Sequence, residues 1–342
     1  MKALIQLPTS IFLALILFPA CAENQPKQSS LQAQPKYVGT QYFCWTDYNR
    51  ADELYEAGAF REVMAQIWYP IADSIRGGFE RAPYLPFLEK VRPLLSSWNE
   101  EDFDQLENIH TLGLIKAPIL EKEEKYPLLI FCPSLGAHSS YYTSYAERFA
   151  QEGYVVLGIN SKYESEYVLG ESGKVTISNL AFHDSLKELS IPDQISVEDY
   201  RKAKAKRLGV IVGDVLFALH KLEDIPYFKK QIDFKNIGSM GHSIGGFAAV
   251  DAARRDARIK AVVNIDGTPS PEAFSNGIEQ PFLFIEDLTD YIHHPGHQKV
   301  FKRREDFCKK GKSATYRVLI GETNHTRFYS SNLRFADKET DN

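Results

Sequence analysis

Short apolar runs that alternate with helix-like segments constrain the fold of this chain more than any other feature. The runs are Tyr126–Phe131, Tyr154–Ile159, Ile259–Ile265, Pro281–Ile285 and Thr315–Ile320. Continuous apolar runs of this length are typical of strands that are buried on both faces. Strands that alternate with helices favour a parallel α/β sheet. Because the alternation continues from about residue 125 to about residue 335 without a linker, we predict one domain there.

The clearest helical pattern begins at Ser196, which together with Asp199 resembles a capping box. Apolar residues then recur at helical spacing, namely Leu208, Ile211, Val212, Val215, Leu219 and Leu222. Upstream, Val63–Tyr69 alternates like a strand. We therefore predict an α/β fold with a mostly parallel central sheet, helices on both faces and antiparallel strands from the N-terminal residues.

The first residues of the chain are typical of an export signal. Lys2 precedes an apolar run from Ile11 to Phe18, and alanines flank Cys21. Two processing routes fit: ordinary cleavage, which makes residues 1–22 a signal peptide, or a lipoprotein signal to residue 20 with a lipid anchor on Cys21. The apolar run is shorter than the ~20 residues that span a bilayer, which disfavours a retained membrane helix. We expect a periplasmic or secreted protein.

The high content of Gln, Ser and Pro in residues 23–36 predicts a flexible tether. We predict that residues 37–342 form a single domain. Within this domain, we predict that residues 83–112 form a cap segment. Its apolar residues between Tyr84 and Trp98 recur at helical spacing. This pattern fits a cap helix buried against the sheet or a surface that contacts lipid. Residues 161–195 lack periodicity and follow a strand end, so we expect them to line a pocket.

Charge and cysteine content exclude several classes of protein. A formal net charge of −5 argues against a nucleic-acid partner, because such binding depends on clustered Lys and Arg. Beyond the leader the cysteines are Cys44, Cys132 and Cys308. Three thiols are too few for a disulfide scaffold and allow at most one internal bridge.

The segment Gly241–Gly246 reads Gly-His-Ser-Ile-Gly-Gly and lies between the apolar run Ile237–Met240 and a helix predicted over Phe247–Arg255. Strand, sharp turn and helix are the layout of a nucleophile elbow, in which the turn lifts a serine hydroxyl above the sheet. The pattern alone occurs by chance in roughly one chain in ten of this length. The flanking elements therefore carry the prediction that Ser243 is the nucleophile.

A serine nucleophile needs a base and an acid, which follow it in chain order in this fold class. His325 comes directly after the last predicted strand and is the candidate base. Two predicted strands end in carboxylates, so the acid is either Asp266 or a member of the later group Glu286, Asp287 and Asp290. The commonest layout favours Asp290, and strand position alone leaves the choice open.

The other histidines near these motifs receive no catalytic role. We interpret His242, inside the elbow, as a packing residue that points away from the nucleophile. His293, His294 and His297 form a cluster without carboxylate ligands at clear spacing, which is typical of a solvated loop rather than a metal site. We assign no metal and no cofactor.

These motifs together resemble the secreted platelet-activating-factor acetylhydrolase family, the plasma lipoprotein-associated phospholipases that cleave short or oxidised sn-2 acyl chains. The resembling segments span about residues 37 to 335 and are Trp68–Pro70, Glu124–Leu128, Leu135–Ala137, Gly241–Gly246, Asn264–Gly267, Gln280–Ile285 and the loop of His325. The resemblance implies an α/β-hydrolase fold with Ser243 as nucleophile, Asp266 as acid and His325 as base.

An oxyanion hole should use the backbone N–H of Ile244, which directly follows the nucleophile. The resemblance places the second donor at the backbone N–H of Leu135. This chain has Pro133 and Ser134 where the family usually has His-Gly. The alternative interpretation of this segment is a plain turn between a strand and a helix.

The resemblance implies an exported serine esterase that hydrolyses phospholipids with short or oxidised sn-2 acyl groups through an acyl-enzyme. A second hypothesis keeps the triad and changes the substrate to small esters or polyesters, as in cutinase-like hydrolases with a G-H-S-x-G-G elbow. A third is a surface lipoprotein that binds an apolar ligand without catalysis, against which Ser243 and His325 argue. The expected partners are an ester or phospholipid substrate and a membrane surface, and the oligomeric state stays open.

Overall fold

The computed structural model describes residues 5–6, 36–52, 56–75, 77–96, 98–178, 197–288 and 297–329. Their strands are β1 (Ile5–Gln6), β2 (Val38–Ala51), β3 (Phe60–Pro70), β4 (Gly113–Ile115), β5 (Tyr126–Cys132), β6 (Val155–Ser161), β7 (Tyr167–Leu169), β8 (Val175–Ile177), β9 (Ile232–His242), β10 (Ile259–Ile265), β11 (Phe282–Asp287) and β12 (Thr315–Ile320). Ten of these strands form one sheet in the order β4-β2-β3-β6-β5-β9-β10-β11-β12-β1. Strands β7 and β8 form a separate antiparallel pair.

The direction of the strands confirms the predicted α/β-hydrolase sheet. Strand β3 runs antiparallel to both β2 and β6, and the other pairs in the sheet are parallel. The antiparallel strands come from the N-terminal part of the chain, as predicted. The five apolar runs correspond to strands β5, β6, β10, β11 and β12, although Tyr154 and Pro281 each lie one residue before the strand begins. Each of these strands has at least one parallel neighbour.

The helices are α1 (Leu88–Val91), α2 (Glu100–Glu107), α3 (Thr143–Gln151), α4 (Val197–Glu223), α5 (Pro226–Gln231), α6 (Ile244–Arg255), α7 (Pro271–Asn276) and α8 (His297–Lys309). Short 3₁₀ helices occupy Arg92–Leu94, Ser139–Tyr142 and His325–Phe328. The six apolar residues predicted on the face of α4 are all buried. Ser196, the first residue of the predicted capping box, lies outside the described residues.

Side chains on β3 show that the core has two layers. Val63, Ala65 and Ile67 belong to the hydrophobic cluster that contains α4 and α6. Met64 and Trp68 belong to the cluster that contains α3 and the cap segment. Because successive side chains of a strand point to opposite faces, the two clusters lie on opposite sides of the sheet.

The cap segment packs on the sheet through its apolar stripe. Tyr84, Val91 and Leu95 are buried in the same cluster as Trp68 of β3. These three side chains are therefore part of the core, and contact of the cap segment with lipid stays a prediction. Leu94, by contrast, is 42% exposed.

Strand β1 falls within the predicted leader and pairs in parallel with β12, with Ile5 opposite Val318. Strand β12 would otherwise be an open edge, which readily accepts an extended segment. Residues 7–35, with the predicted tether and Cys21, lie outside the described part of the chain, so their processing stays a prediction. Of the helices described, none has the length and apolar character that a membrane span requires. Within the described part of the chain, Cys44 and Cys132 are free thiols.

Candidate active site

The order of the strands determines where a site can form. Strand β5 lies between β6 and β9 in the sheet. The chain runs from β5 to β6 on one side, and then crosses through α4 to β9 on the other side of β5. Ligands of open α/β sheets bind beyond the carboxyl ends of the strands at such a reversal. The loop after Cys132 and the turn at Ser243 both lie at this position.

The turn at Ser243 has the strained backbone of a nucleophile elbow. Ser243 has φ 57° and ψ −122°, a conformation that costs a non-glycine residue on the order of 1–3 kcal/mol. The backbone N–H of Ser243 donates to the carbonyl of Ile265 at 2.8 Å, which holds the turn in place. A Cβ at Gly245 would lie 2.1 Å from the carbonyl oxygen of Cys132, so glycine is required where the helix passes the end of β5.

His325 lies between Ser243 and Asp266. Its Nε2 is 3.0 Å from Ser243 Oγ, and its Nδ1 is 2.5 Å from Asp266 Oδ2. His325 opens a short 3₁₀ helix that is capped by Asn324, whose side chain accepts the backbone N–H of Arg327 at 3.0 Å. The structure thus brings the three residues named from the sequence into one hydrogen-bonded chain.

Among the alternative acids, Glu286 does not face His325 but pairs with Arg317 on the adjacent strand. Asp290 lies outside the described residues. The carboxylate that contacts the imidazole is therefore the one that follows β10, the earlier of the two strands.

Hydrogen bonds from the adjacent strand and from Asn264 hold the turn that carries Asp266. Asp266 has φ 50°, and its N–H donates to the carbonyl of Ile285 at 2.7 Å. The Asn264 side chain accepts the N–H of Gly267 at 2.8 Å and donates to its carbonyl at 3.2 Å. These bonds fix the backbone of the turn and therefore the position of the Asp266 carboxylate.

Arg304 on α8 is a partner of Asp266 that no sequence pattern indicated. Its guanidinium donates to Asp266 Oδ1 at 2.5 Å and to the Asp266 carbonyl at 2.8 Å. Burial raises the pKa of Asp266, but the hydrogen bond to His325 and the charge of Arg304 outweigh it and lower the pKa below the ordinary value. Asp266 is therefore ionised at neutral pH.

The two backbone N–H groups named as oxyanion donors have no hydrogen-bond acceptor among the described residues. Ile244 is the first residue of α6, where helix N–H groups have no intrahelical acceptor. In the loop after β5, the N–H of Gly136 donates to the carbonyl of Glu164 at 2.8 Å and that of Ala137 to Ser134 at 3.1 Å. The N–H of Leu135, between them, donates to none of the described residues, and neither does that of Ile244.

His242 is fully buried beside the candidate base. Its ring centroid lies 4.7 Å from that of His325, and its Nδ1 is 2.7 Å from the hydroxyl oxygen of Tyr142. Burial holds the pKa of His242 well below its usual range, so the ring is neutral. It packs behind the site as interpreted, although it contacts the ring of His325 rather than pointing away from it.

A pocket adjoins Ile244 and the loop after β5. Its apolar lining comes from Ile159, Ile211, Val215 and Ile244, and its polar lining from Ser134, Ser161, Glu164 and Ser165. The carboxylate of Glu164 pairs with the guanidinium of Arg207 at 2.7 and 2.8 Å. The predicted pocket-lining role of residues 161–195 thus applies to 161–165, while residues 179–195 lie outside the described part.

No group of three or more His, Cys, Asp or Glu side chains in the described part of the chain is arranged to hold a metal ion. His293 and His294 lie outside that part, and the side chain of His297 is not described either. The prediction that this histidine cluster binds no metal therefore stays a prediction.

Two family models match the chain. The model described as platelet-activating factor acetylhydrolase, isoform II, matches residues 32–180. The model described as dienelactone hydrolase family matches residues 116–318, which is more than half of the chain. These matches confirm the resemblance that the sequence motifs indicated.

Relatives of known name are similar at low identity. Platelet-activating factor acetylhydrolase of Cavia porcellus is 23% identical over 302 residues, which cover 82% of this chain and 64% of that protein. A probable 1-alkyl-2-acetylglycerophosphocholine esterase of Arthroderma benhamiae is 26% identical and covers 49% of this chain and 39% of that protein. The chain thus spans between 39% and 64% of the length of these two relatives.

Among solved structures, a ferulic acid esterase from Streptomyces cinnamoneus superposes with a TM-score of 0.65. The two chains are 23% identical, and the superposition covers 87% of this chain and 77% of the other. A similarity of this extent at this identity demonstrates a shared fold.

Proposed function

The chain belongs to the dienelactone hydrolase family, and we propose that it is a serine carboxylic ester hydrolase. The observation that carries the proposal is the hydrogen-bonded chain from Ser243 through His325 to Asp266. These are the residue types and contacts that acyl transfer to a serine requires. We assign Ser243 as the nucleophile, His325 as the base and Asp266 as the acid.

In the proposed acylation step, His325 Nε2 removes the proton of Ser243 while Oγ attacks the ester carbonyl carbon. The negative charge that develops on the carbonyl oxygen is stabilised by the N–H groups of Leu135 and Ile244. Asp266 stabilises the imidazolium, which then protonates the departing alcohol. The products of this step are the free alcohol and an acyl-enzyme on Ser243.

Deacylation repeats these roles with water. His325 removes a proton from a water molecule, whose oxygen attacks the acyl carbonyl. The tetrahedral intermediate is again stabilised by the two backbone donors and collapses to release the carboxylic acid, while His325 returns the proton to Ser243 Oγ. The strained turn at Ser243 supports this assignment, because it holds the hydroxyl above the sheet at no reorganisation cost during the reaction.

For the substrate, we propose phospholipids with short or oxidised sn-2 acyl groups. The match of residues 32–180 to the acetylhydrolase family model and the names of the curated relatives support this substrate class. Export, with or without a lipid anchor on Cys21, is part of the proposal and depends on the leader sequence alone.

A panel of substrates tests the proposal. We expect kcat/KM to fall steeply from sn-2 acetyl through hexanoyl to palmitoyl phospholipids, and Ser243→Ala to lose all of these activities. If the wild-type protein cleaves only small esters or polyesters, the result would contradict the phospholipid substrate and favour the cutinase-like alternative. If the folded wild-type protein cleaves no ester, the result would contradict the proposed hydrolase and favour a protein that binds an apolar ligand without catalysis.

A further inference from the structure

We propose that Arg304 is a positioning residue of this site, which holds the carboxylate of Asp266 in place and, through it, the ring of His325. The inference rests on the ester hydrolysis proposed above. It assigns a role to a side chain of α8, an element outside the sequence motifs of the site.

The three hydrogen bonds of Arg304 are directed at a single turn. Nη1 donates to Asp266 Oδ1 at 2.5 Å, Nη2 donates to the Asp266 carbonyl at 2.8 Å, and Nε lies 3.3 Å from Thr268 Oγ1. All three guanidinium nitrogens thus contact residues 266–268. Only the planar fork of an arginine can make three such contacts at fixed angles, whereas a lysine supplies a single point charge.

The other carboxylate oxygen, Oδ2, accepts from His325. With Oδ1 and the backbone carbonyl both held by Arg304, Asp266 cannot rotate without breaking the contact to the imidazole. The turn needs such support, because the residue has a left-handed φ of 50°. The clamp therefore acts on the orientation of His325 through the orientation of Asp266.

The clamp is buried and lies among other charged groups. Asp266 and Arg304 are 6% and 14% exposed at their side chains, so their pairing is little screened by water. Behind them, Glu286 on β11 is fully buried, with Oε1 3.5 Å from Arg304 Nη1 and Oε2 on Arg317 of β12. His242 faces His325 from β9 as a neutral ring.

Two guanidinium groups thus pair with two carboxylates, and Arg304 lies within ion-pair distance of both Asp266 and Glu286. The ion pair to Glu286 also holds the guanidinium, so that the clamp on Asp266 is itself fixed in place.

The test compares kcat and KM of Arg304→Gln, Arg304→Lys and wild type on a short p-nitrophenyl ester. Arg304→Gln should lower kcat at least tenfold, because small misplacements of a base cost up to ~100-fold. KM should stay near the wild-type value, because Arg304 contacts residues 266–268 and does not line the pocket. Arg304→Lys keeps the charge and loses the fork, so kcat should fall in this variant as well.

Arg303→Gln is the matched control, since the neighbouring arginine of α8 lies over the ring of Phe274 instead. We expect wild-type kcat and wild-type KM from it. A folded Arg304→Gln that keeps wild-type kcat, or whose defect lies in KM instead of kcat, would overturn the proposal. If that variant does not fold, wild-type kcat in Arg304→Lys would overturn it equally. Failure of the proposed function is a different result, since wild type itself would then cleave no ester.

Discussion

The hydroxyl of Tyr142 lies 2.7 Å from Nδ1 of His242 and also accepts the backbone N–H of Ser134 at 3.2 Å. One side chain therefore connects the nucleophile elbow to the loop that carries Leu135. A hydroxyl group can bond to both partners at once, because it carries one donor and two acceptor sites. Ser134 stands where the resembling family usually has glycine, and this bond fixes its backbone.

Replacing Tyr142 with Phe should lower kcat about tenfold with little change in KM. The loop would lose the bond that positions the Leu135 donor, and an oxyanion-hole donor is worth far more in the transition state than in substrate binding. Loss of the partner also leaves the buried Ser134 N–H unsatisfied, which costs about 1–3 kcal/mol of stability. Steady-state kinetics and thermal unfolding measure the two effects.

Tyr145→Phe provides the control for this variant. Tyr145 lies one helical turn away on α3, and its ring packs 6.5 Å from that of Tyr142. It should keep wild-type kcat. If the two variants behave alike, the bond from Tyr142 to Ser134 does not support the donor loop.

Asp266→Asn should lower kcat on the order of ten thousandfold. The amide cannot stabilise the imidazolium and favours the wrong tautomer of His325. Asp290→Asn, which alters the acid favoured by the commonest layout, should stay near wild type in kcat. A large loss of kcat in Asp290→Asn together with a mild loss of kcat in Asp266→Asn would contradict the assignment of Asp266 as the catalytic acid.

The buried ring of His138 predicts a loss of stability in acid. Burial lowers the pKa of His138 to about 3, and the ring stacks on Tyr167 while Nδ1 accepts the N–H of Ser140. The unfolded chain binds a proton near pH 6.5, which the folded chain does not bind until about pH 3. Between these values the free energy of unfolding therefore falls as the pH is lowered, by up to ~1.4 kcal/mol per unit from this group.

His138→Asn removes this titration and keeps an acceptor for the Ser140 N–H. Denaturant unfolding at pH 6, 5 and 4 should show a shallower fall of the unfolding free energy in the variant than in wild type. Parallel curves for the two proteins would mean that His138 is protonated in the folded state.

Two adjacent leucines of the cap test its packing. Leu95 is 6% exposed and belongs to the core, whereas Leu94 is 42% exposed. Leu95→Ala should cost about 2–5 kcal/mol of unfolding free energy, and Leu94→Ala about 0.5 kcal/mol or less. Equal losses measured by denaturant unfolding would contradict a cap packed through Leu95.

Short-range patterns were sufficient to predict the strands of the sheet and the turn at Ser243. Strands β10 and β12 end at the predicted residues, because a continuous apolar run between turn residues leaves little choice of register. The elbow at Ser243 was predictable for a similar reason, since its glycines answer a local steric demand that any chain with this turn must meet.

The partners behind the site were not predictable from the sequence. Arg304 reaches Asp266 only because α8 packs beside the ends of β10 and β11, and an arginine within a charged helix has no pattern that distinguishes it from its solvated neighbours. Tyr142 acquires its role from two long-range contacts of one hydroxyl. The choice between Asp266 and the later carboxylates likewise depended on a resemblance, because both strands end at the same edge of the sheet.

The most direct test of the central claim is the mass of the intact protein after reaction with a fluorophosphonate. We predict one adduct per chain in wild type, mapped by peptide sequencing to Ser243, and no adduct in a folded Ser243→Ala variant. His325→Ala should be labelled far more slowly, because its serine has lost the base that activates it. An adduct on another residue, or labelling that persists in Ser243→Ala, would contradict the assignment of Ser243 as the nucleophile.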